Sequence, residues 1–312
     1  MSSAPPLRLC LIGLPATGKT TYIAALWGYL TSGLPAGGYR VTDFPDDPSY
    51  LNQIAAAWAA GDPMPRNSLG ATDRIEFTIE TPTGTAITLV LPDLPGEVFR
   101  NAILRPFIDE DAAEAVTGSD LLLVFVNGEK ARTYSALGDH DVPPPNEIDD
   151  DATSGADTTE DGTDATEPGT GGSSPDTAKT PERKEFAVQD LDSDTLNTEL
   201  LQRLVHITRD TGLPRLAVVV SAWDAHHASG DKPADWLARE QPMLSQLVDE
   251  VSRAVPVGVV GVSAQGANYS DDPAVIEKLA NERPWGCDEA GERTDIAGPL
   301  IWYDRLGSAA DG

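Results

Sequence analysis

Hydrophobic residues fall into two kinds of run along this 312-residue chain. In the first kind nearly every position is apolar: Leu7 to Ile12, Asp120 to Val126, Leu216 to Val220 and Val257 to Val262. Strands of that composition are covered on both faces, as the central strands of a parallel sheet are. In the second kind apolar and polar positions alternate. Arg74 to Glu80 sets Ile75, Phe77 and Ile79 between polar residues, which predicts a half-buried edge strand. The turn Pro82-Thr83-Gly84 leads from it into Ala86 to Leu91, so the two are expected to pair as a hairpin. Tyr39 to Asp43 adds a short strand after the turn-rich stretch Gly33 to Gly38.

Helical spacing fills the intervals. Thr21 to Leu30 carries Tyr22, Ile23, Leu26 and Leu30 on one side. Pro48 to Ala60, Leu196 to Thr208 and a long helix from Trp236 to Val255 follow, and Pro299 to Leu306 closes the chain. Strands alternating with helices imply an α/β three-layer sandwich with a mostly parallel sheet and one antiparallel edge strand.

Between Gly138 and Glu185 both patterns vanish. Val142 and Ile148 are the only large aliphatics there, aromatics are absent, and 14 acidic residues face 3 basic ones. Such a segment buries too little apolar surface to offset the roughly 1–2 kcal/mol per residue lost on ordering a backbone. The expectation is one folded domain made of residues 1–137 and 186–312, interrupted by a disordered acidic insertion at 138–185.

Charge narrows the choice of partners. The whole chain has 50 acidic and 22 basic residues, a formal charge of −28, and the segments outside the insertion are acidic too. A basic footprint for nucleic acid or an anionic membrane surface is missing. Cys10 lies in an apolar run and Cys287 stands alone, so neither a disulfide framework nor a metal cluster is implied. No apolar stretch approaches the roughly 18 residues needed to span a membrane, and the N-terminal run is too short for a signal peptide. These features predict a cytoplasmic protein.

The chemistry is concentrated at strand ends. Gly13-Leu14-Pro15-Ala16-Thr17-Gly18-Lys19-Thr20-Thr21 follows the first predicted strand and opens the first helix. Gly13 and Gly18 permit a backbone that turns the N–H groups of Ala16, Thr17 and Gly18 inward on a phosphate. Lys19 then reaches the β/γ-phosphates, the Thr20 hydroxyl binds Mg²⁺, and the dipole of the helix that continues through Thr21 adds to the attraction. A second station ends another strand, Leu89-Val90-Leu91-Pro92-Asp93-Leu94-Pro95-Gly96-Glu97. Asp93 is suited to hold Mg²⁺ through water opposite Thr20, and the Gly96 N–H to sense a γ-phosphate. The third and fourth stations are Ser221-Ala222-Trp223-Asp224 and Gly261-Val262-Ser263-Ala264, each at the end of an apolar strand. Asp224 can accept from N1–H and the exocyclic amine of guanine, and the Ala264 N–H can meet its carbonyl oxygen. Together they point to GTP with Mg²⁺.

With these stations in order the chain resembles the Ras-like P-loop GTPases of the wider translation-factor-related class. Gly-Lys-Thr-Thr-Tyr-Ile-Ala-Ala-Leu-Trp at 18–27, Asp-Leu-Pro-Gly-Glu-Val-Phe-Arg at 93–100 and Pro299-Leu300-Ile301-Trp302 make it most similar to the bacterial double-GTPase families. The resemblance implies a Ras-like topology, a slowly hydrolysing Mg²⁺-dependent GTPase switch, and partner proteins in multi-component systems linked to biological conflict. Lys19, Gly96 and Glu97 would then be the catalytic group. Thr20 and Asp93 would hold the metal. Gly13, Ala16, Thr17, Gly18, Lys19, Thr20, Thr21, Asp224, Ser263 and Ala264 would hold the nucleotide.

The chain also departs from that pattern. Where relatives carry Asn/Thr-Lys before the base-reading aspartate, it has Ser221-Ala222, with Trp223 available to shield the site. Glu97 stands where many relatives have a water-positioning glutamine. No switch threonine stands out: Thr72 and Ser68 are the candidates, and either reads more simply as a capping or turn residue than as a ligand. Arg100 and Arg105 are candidate arginine fingers or a solvated helix face, and His226-His227 reads as a loop pair. An ATPase or kinase-like enzyme is the first alternative, though it would have no use for Asp224; a nucleotide-loaded scaffold with negligible turnover is the second.

Overall fold

A computed structural model of the chain describes residues 7–33, 38–64, 75–91, 110–129, 191–227, 229–269, 271–279, 281–300 and 302. Backbone contacts divide the chain into Met1–Thr133 with Val188–Gly312 and a second unit, Tyr134–Ala187; every described residue belongs to the first. The insertion at 138–185 lies outside the described residues.

One mixed sheet organises the domain. Its strands are β1 (Leu7–Gly13), β2 (Arg40–Asp43), β3 (Ile75–Glu80), β4 (Ala86–Leu91), β5 (Leu121–Asn127), β6 (Arg215–Ser221), β7 (Val257–Ser263), β8 (Trp285–Cys287) and β9 (Arg293–Thr294). Their order in space is β2-β3-β4-β1-β5-β6-β7-β8-β9. The five central strands, β4 to β7, pair in parallel. Their apolar runs divide strictly by parity. Leu121, Leu123 and Phe125 of β5 join one core while Leu122, Val124 and Val126 join the other.

Two helical layers cover those faces. α1 (Lys19–Thr31) and α2 (Ser49–Ala60) bury Tyr22, Leu26, Trp27, Ile54 and Trp58 on one face. α3 (Glu110–Thr117), α4 (Ser193–Ile207), α6 (Pro233–Glu240) and α7 (Pro242–Val251) bury Leu200, Leu204, Trp236 and Leu244 on the other. A single turn, α5 (Asp224–His227), follows β6. No helix among the described residues is long and apolar enough to cross a membrane.

Two expectations need correction. The sheet does not carry a single antiparallel edge strand: β3 is antiparallel to both β4 and β2, and β8 to both β7 and β9. The β3–β4 hairpin is as expected, with Ile75, Phe77 and Ile79 buried, but Arg40–Asp43 is added outside it. The second correction concerns the long helix from Trp236 to Val255. Gln241 has φ −137° and ψ 67°, and Pro242 starts a new helix. Proline removes a backbone donor and disfavours a helical residue before it. The break is stabilised from α4: the carboxylate of Asp194, 1% exposed, accepts from the N–H groups of Met243 and Leu244, each at 2.9 Å. A buried negative charge there meets the positive end of α7. Asn197 adds a hydrogen bond to the side chain of Gln241 at 2.9 Å. At the C-terminal end, 298–300 and Trp302 are helical, and residues 303–306 of the expected closing helix lie outside the described residues.

Candidate functional site

The C-terminal edge of the parallel strands brings the loops together. β1 ends at Gly13 and α1 begins at Lys19, so the phosphate loop spans one strand–helix junction. Its backbone visits the left-handed region at Ala16 (φ 60°) and Gly18 (φ 84°). At Gly13 (φ 154°) the constraint is steric as well. A Cβ there would lie 2.8 Å from both the Phe125 carbonyl and the Thr17 hydroxyl. Gly18 faces Ser221, whose Cβ and Oγ would stand 3.1 Å from any added Cβ.

Lys19 curls over the loop it follows. Its Nζ donates to the carbonyls of Gly13 at 2.6 Å and Leu14 at 2.8 Å, and the Thr17 hydroxyl donates to Leu14 at 2.9 Å. The ammonium therefore sits inside the concave loop rather than in solvent, where it is placed to meet an anion. Asn127, at the end of β5, ties the loop down from the neighbouring strand. Its Nδ2 donates to the Ala16 carbonyl at 2.7 Å while its Oδ1 accepts from the Glu129 N–H at 2.9 Å. Sequence reasoning missed this tether because the partners stand 111 residues apart, and a strand-end asparagine has no local signature.

Replacing Asn127 with alanine is expected to weaken nucleotide binding by roughly five- to ten-fold, the worth of one hydrogen bond that pre-organises the loop. Asn127→Asp should be worse, since it sets a carboxylate against a carbonyl beside the phosphates. Titration with GTP checks both; an aspartate variant binding as tightly as wild type would remove the tether from the account.

A cavity of about 760 Å³ runs from this loop to the base-reading stations. Ala16, Gly18 and Thr21 line one end, and Asp224 and Ala264 line the other. Gly13, Thr17, Lys19 and Thr20 are not among its lining residues but belong to the same loop and first turn. Ser263, expected among the residues that hold the nucleotide, lies behind Asp224. It is fully buried, does not line the cavity, and donates its hydroxyl to Asp224 Oδ1 at 2.6 Å while accepting from the Gly266 N–H at 3.1 Å. It fixes the carboxylate and closes the base loop. Trp58 of α2 secures the same loop by donating to the Ala264 carbonyl at 2.9 Å.

Trp223 does not shield the base. It is fully buried beneath the loop, its ring where any side chain at Gly261 would be, and its backbone N–H donates to the Val262 carbonyl at 3.1 Å. His226 belongs to the same aromatic layer, with ring centroids 5.7 Å from Trp223 and 5.6 Å from Trp236, and its Nε2 lies 2.9 Å from the Gly128 carbonyl. Ala222 lines the cavity with φ 51°, a conformation costing roughly 1–2 kcal/mol for a residue with a Cβ. Burial, reinforced by the charges of Asp295 and Tyr39, pushes the Tyr22 phenol well above its usual range, so this wall residue stays neutral. Asp93, Gly96, Glu97, Ser68, Thr72, Arg100 and Arg105 lie outside the described residues; β4, which leads to Asp93, ends beside β1.

A phosphate cradle between first strand and first helix, on the edge of a sheet covered by helices on both faces, defines a P-loop nucleotide-binding protein. The chain matches the model of the family Double-GTPase 1 over residues 10–303 and belongs to that family. It is accordingly a GTP-binding protein. Among solved structures it is similar to the bacterial selenocysteine-specific elongation factor EF-Sec, at 12% identity and TM-score 0.36, over 88% of this chain and 29% of that one. Era in complex with MgGDPNP and nucleotides 1506–1542 of 16S ribosomal RNA is similar at 12% identity and TM-score 0.36, over 89% and 58%. The cytosolic domain of the T. maritima FeoB iron transporter in its GMPPNP form is similar at 12% identity and TM-score 0.29, over 89% and 65%. The chain thus spans less than two thirds of each of those chains. No curated protein matches it.

Proposed function

We propose that this chain is a Mg²⁺-dependent GTPase switch of Ras-like topology that turns over slowly and signals to partner proteins in a bacterial multi-protein system. The observation that carries the reading is the cavity of about 760 Å³ lined both by Ala16, Gly18 and Thr21 beside the phosphate loop and by Asp224 and Ala264. The strand order around β1 and the family assignment support it.

Each residue has a task in this reading. Lys19 neutralises charge on the β/γ-phosphates. The Thr20 hydroxyl and, through water, the Asp93 carboxylate are hard oxygen donors that fit Mg²⁺, which when bound would offset the phosphate charge. Gly96 reports the γ-phosphate and Glu97 orients the attacking water. Slow turnover follows from Glu97, because a carboxylate beside the γ-phosphate repels it. The low density of positive charge argues against nucleic acid as the partner, and two unpaired cysteines fit a reducing cytoplasm.

The reading is tested by titrating the purified protein with GTP, GDP and ATP in the presence and absence of Mg²⁺, then following phosphate release. Preference for guanine nucleotides with slow release is the expected result. Preference for ATP overturns it, and tight GTP binding with no release under any condition replaces the switch with a nucleotide-loaded scaffold.

A further inference from the structure

The base end of the cavity has a wall that the GTPase motifs do not supply. β8 pairs antiparallel with β7 so that Trp285 stands opposite Ser263, directly beside the strand that carries the base loop. β9 pairs with β8 and brings in Arg293, whose guanidinium lies 4.7 Å from the centre of the Trp285 ring. The pair is mounted on a closed turn. Asp288 Oδ1 accepts from the N–H groups of Ala290 and Glu292, and the backbone N–H of Asp288 donates to Glu292 at 3.0 Å. Both Trp285 and Arg293 line the cavity.

Three features give this wall a chemical sense. Arg293 is the only cationic side chain among the described residues lining the cavity, against the carboxylates of Glu129, Asp224 and Asp271. Its side chain is exposed and makes no hydrogen bond or ion pair among the described residues, so its N–H groups are free for a ligand. The position that would carry a base-packing lysine is Ala222, a lone methyl group. Asp224 is an acceptor matched to the N1–H and 2-amino donors of guanine. The neighbouring group on the same edge, the 6-oxo oxygen, has two lone pairs, so beside the Ala264 N–H it can accept from a second donor on the side of the loop where the hairpin stands.

We propose that Arg293, with its guanidinium over the Trp285 ring at 4.7 Å from the ring centre, is a specificity-determining residue that donates to the 6-oxo group of the purine and so replaces the selectivity lost at Ala222. A 6-amino purine presents donors to that guanidinium and is rejected by the same contact. A stacked guanidinium loses little freedom on binding, which suits it to this role better than a mobile lysine. The proposal rests on the base end of the cavity being the guanine site.

The test compares affinities for GTP, ITP and ATP in wild type, Arg293→Ala and Arg293→Lys, with melting curves to check that this exposed residue leaves the fold unchanged. ITP keeps the 6-oxo group and lacks the 2-amino group. Arg293→Ala is expected to weaken GTP and ITP alike by about ten-fold while ATP is unchanged or tighter, and Arg293→Lys to recover part of the loss. An unchanged GTP-to-ATP ratio in Arg293→Ala overturns the proposal, whether the affinities hold or fall together. Failure of the underlying guanine assignment looks different: wild type itself then shows no preference for GTP over ATP, whatever stands at position 293.

Discussion

Replacing Lys19 with alanine is expected to abolish nucleotide binding, lowering affinity for GTP by at least about a hundred-fold. The lysine is the first residue of α1, and its ammonium is held inside the loop by the Gly13 and Leu14 carbonyls at 2.6 and 2.8 Å. Hydrogen bonds to a charged partner contribute roughly 1.5–3 kcal/mol each, and a triphosphate would engage this cation more than once. The loss should not come from unfolding, because the ammonium is only part-buried and α1 is anchored by Tyr22, Leu26 and Trp27. Lys19→Arg should be nearly as damaging, since a planar fork does not fold into a loop built around a point charge. Titration with GTP, paired with a thermal melt, separates binding from stability. If Lys19→Ala still binds GTP within a few-fold of wild type, the loop is not the phosphate site.

That loop was legible in the sequence because every requirement is local. A buried strand, two glycines at fixed spacing, a lysine and a helix follow one another without interruption from Leu7 to Thr31, and the backbone angles at Gly13 and Gly18 are the ones glycine alone adopts freely. The central strands were legible for a related reason. Burial on both faces leaves β1, β5, β6 and β7 with no polar side to write into the chain, so the apolar runs report the parallel sheet directly.

What escaped is non-local or too short. β8 and β9 have three and two residues, too few for an alternation of period two to repeat, so Trp285-Gly286-Cys287 and Arg293-Thr294 left no strand pattern. The single long helix over 236–255 failed because the apolar spacing continues through Gln241-Pro242, and the residues that stabilise the break, Asp194 and Asn197, belong to another helix. Trp223 stands between Ala222 and Asp224 in the sequence, yet faces the core because Gly261 on the next strand leaves room for an indole. Ser263 was identified as a site residue from its motif; that it supports Asp224 instead of lining the cavity depends on where two strand ends meet. Ala16, Gly18 and Asp224, which line the cavity, were singled out from their motifs, whereas Trp285 and Arg293, on strands of three and two residues, were not.

Exchanging Asp224 for asparagine should invert the base preference. GTP affinity is expected to fall by roughly a hundred-fold, and xanthosine triphosphate, bound poorly by wild type, to become the tighter ligand. The structure supplies a reason for a clean inversion. The Ser263 hydroxyl is an acceptor for the Gly266 N–H, so its own proton is free to point at Asp224 Oδ1, 2.6 Å away. An asparagine in that place keeps the same bond only with its carbonyl oxygen toward Ser263, which turns the amide NH₂ into the cavity. A donor then faces the base where an acceptor stood: it opposes the 2-amino group of guanine and matches the 2-oxo group of xanthine. Removing the serine hydroxyl frees the amide to rotate, so Asp224→Asn combined with Ser263→Ala should discriminate less sharply between the two nucleotides than Asp224→Asn alone. Competition titrations of GTP against xanthosine triphosphate measure both variants. An unchanged preference in Asp224→Asn would remove Asp224 from the base site, and equal discrimination in single and double variants would show that Ser263 does not orient it.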